Sequence, residues 1–160
     1  MVKTLLPYLV PFEKKLIKEL GIKDRLKKPV IAISGLSGTG KDTHARLLQE
    51  KLEEADLKLG ITVAGEYFRE LARKEGFEEK NIDKFMEKYE KSENFAETVD
   101  KKVERATLEN ALRNGGILVG RMSAFAIGKW GFSILLTVSP EVAAQRMIND
   151  PKRAEFGLPI

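Results

Sequence analysis

Residues 30–48 read VIAISGLSGTGKDTHARLL, and the fold follows from them. Val30-Ile31-Ala32-Ile33 is a short apolar run, the pattern of a buried strand. It runs into Gly35-Leu36-Ser37-Gly38-Thr39-Gly40-Lys41-Asp42-Thr43. Ala45, Leu47, Leu48 and Leu52 then recur at helical spacing, predicting a helix over 41–55. A strand, a glycine-rich turn, a lysine and a helix start form a phosphate-binding loop. The glycines let successive backbone N–H groups face an anion and tolerate positive φ. The helix start adds unpaired N–H groups and a positive dipole end. Lys41 adds a mobile point charge for β- and γ-phosphates. The general pattern places Ser or Thr directly after the lysine, as a Mg²⁺ ligand. Here Asp42 holds that position and the hydroxyl follows at Thr43.

The remaining chain repeats the alternation of strand and helix. Ile61-Thr62-Val63-Ala64 reads as a second strand, followed by a helix from Gly65 that Gly76 ends. Residues 77–114 are charged and helical in pattern, with Phe85, Met86 and Tyr89 marking one helix. Phe95, Val99, Val103 and Leu108 mark a longer one, stopped by Gly115-Gly116. Ile117-Leu118-Val119 and Ser133–Val138 read as two further strands. Ser139-Pro140-Glu141 opens a last helix, reaching Asn149. Upstream, Pro11 opens a helix with Phe12, Leu16, Ile17 and Leu20 on one face and Gly21 as its stop. That face suits packing on the domain surface or a dimer or partner contact. The expected architecture is a three-layer α/β/α domain of P-loop NTPase type with a parallel sheet. Its ligands collect beyond the carboxyl ends of the strands.

The 160 residues suffice for one domain with a real core. Hydrophobic residues at 42% and charged ones at 32% describe a soluble globular chain. No cysteine is present, so no disulfide and no thiolate metal site forms. Its apolar runs fall well short of the roughly 20 residues that span a membrane, and the N-terminus lacks a signal-peptide layout. A cytoplasmic location is the expectation. A net charge of +4 is small and spread out, which argues against nucleic-acid binding. His44 has no metal-ligand partners at useful spacing and reads as a surface residue.

Phosphoryl transfer needs cations around the migrating group and a rigid geometry. Arg69 and Arg121 fall just after predicted strand ends, where the forked guanidinium suits an acceptor phosphate or, more plainly, a surface ion pair. Arg146, Lys152 and Arg153 lie near the last helix, in reach of the phosphates or simply exposed.

Gly35–Thr43, Ala64-Gly65-Glu66-Tyr67-Phe68-Arg69-Glu70-Leu71-Ala72, Gly120-Arg121 and Ser139–Arg146 together resemble archaeal-type cytidylate kinase, within the P-loop nucleoside monophosphate kinases. The likeness covers about residues 29–153, and the GK-x-T loop is similar to that family's. It implies phosphorylation of CMP or dCMP by ATP with Mg²⁺. By that resemblance Gly35, Ser37, Gly38, Thr39, Gly40, Lys41, Asp42 and Thr43 hold the ATP phosphates, with Thr43 toward the metal. Arg69 and Arg121 grip the acceptor phosphate, and Lys41, Arg121 and Arg146 carry the catalysis. Residues 77–114 correspond to a helical lobe over the acceptor base, with Asp100 matching an Asp of that lobe. Arg146 and Arg153 resemble lid arginines. The partners implied are ATP and a nucleoside monophosphate, for a monomer or homodimer free of nucleic acid and membrane. Residues 1–28 then form an N-terminal helical extension to a kinase-like domain over 29–160.

Four features depart from the family pattern, the first being the extra segment before Pro29. Asp42 stands in the loop, Val119 stands where relatives carry an acid, and the chain stops at Ile160. The resemblance implies a further strand and closing helix beyond that point, so the sheet is expected to be short of its last strand. Two other readings stay open: the same chemistry on AMP, dTMP or a small alcohol, or a nucleotide-binding protein with little catalysis.

Overall fold

The computed structural model describes residues 2–23, 26–77 and 81–150, with side chains from Leu9 onward. Lys152 and Arg153 lie outside the described residues. Four strands form one parallel sheet: β1 (Val30–Ser34), β2 (Ile61–Val63), β3 (Gly116–Gly120) and β4 (Phe132–Leu135), in the order β2-β3-β1-β4. The register pairs Ile31 with Ile117 and with Phe132, and Ile61 with Ile117. Parallel strands need crossovers, and helices supply them. The crossovers are α2 (Lys41–Glu54), then α3 (Ala64–Lys74), α4 (Ile82–Lys91) and α5 (Glu93–Asn114), then α6 (Ser123–Ile127), while α1 (Val2–Leu20) precedes β1 and α7 (Pro140–Ile148) follows β4.

Alternate strand residues face opposite layers. Ile33, Ile117 and Val119 meet Ala45, Leu48 and Leu52 of α2 on one face. Val30, Ala32 and Leu118 meet Leu108, Ala111 and Leu112 of α5, Leu9 and Leu16 of α1, and Ala126 and Ile127 of α6 on the other. The three-layer parallel architecture expected from the sequence is therefore present. A third cluster lies apart from the sheet, where Phe85 of α4 sits among Phe68 and Ala72 of α3, Phe77, and Phe95 and Val99 of α5. It is the core of the helical lobe.

Several boundaries differ from the sequence expectation. The first helix starts at Val2 rather than Pro11 and runs through Pro7 and Pro11. Each proline forfeits a backbone hydrogen bond. Leu9 and Leu16, two turns apart, are both buried against the α5 side of the core, and that burial holds the longer helix. Trp130 Nε1 donates to Glu13 Oε1 at 2.7 Å, and Arg105 stacks on Phe12, tying α1 to its neighbours. The fourth strand lies at 132–135 rather than 133–138. Leu136 N still donates to Ser34 O, but β1 ends there, so the ladder has no further partner. Helix α6 was not expected. It is short, and it is capped from another strand, since Ala124 N donates to Ser34 Oγ at 2.8 Å. Strand β4 lies at the sheet edge, with Phe132 69% and Leu135 67% exposed. Lys74–Glu70, Lys101–Glu97 and Arg113–Glu109 are one-turn ion pairs on helix surfaces, weak because solvent screens them. Among the described residues no helix is long and apolar enough to cross a membrane.

Candidate functional site

The carboxyl ends of the four strands open on one side of the sheet. After β1 comes the loop, which is held through one carbonyl. Leu36 O accepts from Thr39 Oγ1 at 2.8 Å and from Lys41 Nζ at 2.7 Å. Gly40 then caps α2 in the left-handed region, φ 84°, with no side-chain cap hydrogen bond to the helix end. The first-turn N–H groups of α2 are thus left for an anion. A cleft of about 510 Å³ opens here, lined by Ser37, Gly38, Gly40, Lys41, Asp42 and Thr43.

The other wall of this cleft comes from α7, which follows β4. Ser139 Oγ accepts from Val142 N and Pro140 starts the helix, so the turn out of β4 is locally encoded. Arg146 Nη1 donates to Gly38 O at 3.1 Å, and Met147 and Asp150 complete the wall. Gly38 has φ +80°, and a Cβ there would lie 2.7 Å from Ala143 O and 2.9 Å from Ala143 Cα. The substitution Gly38→Ala therefore meets both left-handed strain and the α7 backbone. We expect it to destabilise the chain by about 1–2 kcal/mol from the backbone strain alone. Melting curves of the two proteins read it, and an unchanged midpoint would contradict the close approach of Ala143.

His44 is exposed, as expected of a surface residue, yet it also lines this cleft, with Nδ1 2.9 Å from Gly40 O. Its position one turn into α2 was the signal for that. Asp42 and Thr43 are exposed within the same cleft. Val119 is 1% exposed and packs with Ile33 and Ile117, so its position is a core position here.

Beyond the neighbouring strands lies a second group. Helix α3 begins directly after β2, and Arg69 on its second turn folds back over Gly65, its Nη1 3.5 Å from where a Cβ would stand. Arg121 follows β3 and is exposed. The Ser34 Oγ bond to Ala124 N holds the segment after Arg121 beside the end of β1. Across from it, Tyr89 Oη of α4 donates to Asp100 Oδ1 of α5 at 2.7 Å. Burial and that bond push the Tyr89 hydroxyl up to about 12, and burial raises Asp100 against the opposing pull of Tyr89 and Arg121. Glu104, one turn further along α5, is 6% exposed. Burial, then Asp100, push it up to about 7 despite Arg121. Asp100 was named through the family resemblance alone, and neither Tyr89 nor Glu104 was named as a site residue. Glu104 was legible only as a helical neighbour of Asp100, and Tyr89 read as a helix-marking residue with no sign of its bond to Asp100 from another helix.

A family model described as an AAA domain matches residues 31–155. The chain belongs to the AAA domain family. The chain is also similar to the cytidylate kinase of Pyrobaculum arsenaticum, 34% identical over 128 residues, 79% of this chain and 63% of that one. It is 34% identical over 131 residues to the cytidylate kinase of Pyrobaculum islandicum, covering 81% and 65%. With the cytidylate kinase of Methanocaldococcus jannaschii it shares 31% over 122 residues, covering 74% and 62%. The chain thus spans less than two thirds of the length of these curated relatives.

Proposed function

We propose that this protein is a nucleoside monophosphate kinase that transfers the γ-phosphoryl of ATP to CMP or dCMP. One observation carries the reading: cations from two separate sets project beyond adjacent strand ends of one parallel sheet. Lys41 and Arg146 belong to the loop cleft after β1. Arg69 and Arg121 follow β2 and β3, next to a helical lobe with its own core. A holder of one nucleotide needs only the first set. Transfer between two phosphates needs both, because negative charge sits on donor and acceptor alike. The similar relatives that bear the name cytidylate kinase support the choice of acceptor.

In the reaction an oxygen of the acceptor's phosphate attacks Pγ of ATP. The new O–Pγ bond forms as the Pγ–O bond to the β-phosphate breaks, and ADP leaves. No side chain need become covalently attached. Gly35, Ser37, Gly38, Thr39 and Gly40 cradle the donor phosphates, Lys41 neutralises them, and Arg146 closes from α7. Arg69 and Arg121 orient the attacking phosphate, and the 77–114 lobe with Asp100 covers the acceptor base. Thr43 offers the hydroxyl oxygen that a Mg²⁺ held with the ATP phosphates would take, a ligand type the ion prefers. A bound Mg²⁺ would neutralise charge on the β- and γ-phosphate oxygens. Residues 1–28 serve as a helical extension to the 29–160 domain. The protein works on free nucleotides in the cytoplasm, as a monomer or homodimer, without nucleic acid or membrane.

A coupled ADP-release assay with ATP, Mg²⁺ and a panel of nucleoside monophosphates tests this. Turnover with CMP and dCMP above AMP and dTMP is expected. Turnover with AMP alone would remove the cytidylate assignment. ATP binding without turnover on any acceptor would leave a nucleotide-binding protein, the reading that Asp42 and the apolar Val119 favour. Within the kinase reading, Arg121→Lys keeps the charge but loses the fork. We expect it to raise the acceptor KM about tenfold, the loss of one charge-assisted hydrogen bond of roughly 1.5 kcal/mol. The ATP KM should stay unchanged.

A further inference from the structure

The opposite end of the sheet carries a cleft that phosphoryl transfer does not use. The loop lies beyond the carboxyl ends of the strands, whereas β1 and β3 begin side by side at Val30 and Gly116. Helices α1 and α5 both finish near those amino ends, and a cleft of about 540 Å³ opens there. Buried Leu112 and half-buried Leu20 and Ile22 form an apolar floor. Lys23, Lys27, Lys28 and Arg113, all exposed, form a cationic rim. Among the described residues no carboxyl group lines it.

The walls are pressed together at one point. Gly115 has φ +66°, and a Cβ there would lie 2.6 Å from Lys28 Cβ and 2.9 Å from Pro29 O. Gly116 N donates to Pro29 O at 2.9 Å. The end of α5 is thereby fixed against the segment that carries Lys27 and Lys28 into β1. Cations near a helix C-terminus ordinarily answer its unpaired carbonyls and its dipole. Here other groups already do so. Helix α1 closes on Gly21, φ +63°, with Ile22 N donating to Ile17 O at 3.0 Å and Gly21 N to Lys18 O at 3.2 Å. Gly115 N donates to Ala111 O at 2.8 Å at the end of α5. Lys18 and Arg113 supply a cation to each last turn. The acids near the two helix ends, Glu19 and Glu109, pair with Lys15 and Arg113. Lys23, Lys27 and Lys28 make no hydrogen bond or ion pair among the described residues.

Three uncompensated lysines around one concavity focus a positive potential into it. An apolar floor beneath them gains by covering. We propose that this cleft binds a small amphipathic anion, an apolar ring or chain that carries a phosphate or carboxylate head. The head sits among Lys23, Lys27 and Lys28, whose compact charges suit either anion. The body lies on Leu20, Ile22 and Leu112, with the lysine methylene stems closing over it. The volume falls in the range of roughly 300–1,000 Å³ that takes a drug-sized molecule. A nucleic-acid backbone fits less well, because it would answer the cations and leave the floor uncovered. The site is independent of the kinase reading, since it shares no residue with the loop or the acceptor group.

Octyl phosphate, kept below its micelle limit, is the probe. It is titrated into the ¹⁵N-labelled full chain and followed by amide shifts. Saturable shifts at Ile22, Lys23 and Gly115 are expected, and added salt should weaken the complex. Inorganic phosphate and octanol each carry one half of the chemistry and should bind there at least about tenfold more weakly. The double substitution Lys23→Glu with Lys27→Glu changes two exposed side chains and should weaken octyl phosphate at least about tenfold. Should that protein not fold, Lys27→Gln with the octanol comparison reads the role of the charge. Unmoved signals at these amides up to millimolar probe overturn the proposal. So does equal affinity in the double variant, or equal binding of octanol. Sedimentation with phosphatidylglycerol vesicles without binding of octyl phosphate would assign the face to a lipid surface and overturn a free ligand. The same spectra read ATP separately at Gly38 and Gly40, so failure at this cleft leaves the kinase reading intact.

Discussion

On the proposed kinase function, Lys41→Ala is expected to lower phosphoryl transfer by about 10²–10³-fold while the chain stays folded. Nζ of Lys41 donates to Leu36 O at 2.7 Å, so the ammonium is parked against the loop that would receive the donor phosphates. A positioned cation acts most strongly where charge is redistributed in the transition state, and losing one such donor costs roughly 3–4 kcal/mol of barrier. The folded state has less at stake. Lys41 is half-buried at the start of α2, Thr39 Oγ1 still holds Leu36 O, and Gly40 still caps the helix. The thermal midpoint should therefore move by no more than about 0.5 kcal/mol in stability terms, the usual range for a surface change. Initial rates with saturating ATP and CMP, beside a melting curve, measure both. Near-native turnover in K41A would remove the loop from the donor site.

The second large effect is on the lobe. Phe85 is fully buried and meets the rings of Phe68, Phe77 and Phe95 at 5.1, 5.4 and 5.4 Å between centroids, all edge-to-face. Phe85→Ala removes the shared partner of α3, α5 and the segment between them. Large-to-small changes of this kind cost about 3–5 kcal/mol, because the cavity collapses only in part. The consequence for function is directional. Tyr89 lies one turn beyond Phe85 on α4, and its bond to Asp100 depends on how α4 sits. Acceptor affinity should fall with stability, whereas ATP affinity at the loop should hold as long as the chain is folded. Denaturant midpoints and separate titrations with ATP and CMP distinguish the two. Loss of both affinities in equal measure would mean that the lobe and the loop form one cooperative unit.

The loop and its flanking elements were readable from residues 30–48 because their causes are local. Apolar patterning makes the strand, positive φ at Gly38 and Gly40 needs glycine, and the helix start needs no partner from elsewhere. Helix α7 was legible to within a residue for the same reason, since Ser139 and Pro140 are capping chemistry. The first helix was misjudged at its start, because prolines 7 and 11 argue locally for a break. Burial of Leu9 and Leu16 on a surface built from α5 outweighs that cost. Helix α6 escaped notice because its cap, Ser34 Oγ, lies 90 residues away in sequence.

The sequence by itself determined a parallel α/β chain with a phosphate loop after its first strand and arginines after later ones. Backbone conformation and apolar period are short-range properties, and a linear reading contains them. Only the tertiary structure decided what those residues face. It placed β3 between β1 and β2, set Ala143 of α7 against Gly38, and brought Arg146 to a carbonyl 108 residues distant. It also joined Tyr89 to Asp100 and buried Glu104 beside them. Those contacts arise from packing between elements far apart in the chain. A carboxyl that reads as one more surface charge along α5 becomes, through that packing, a group poised near neutrality.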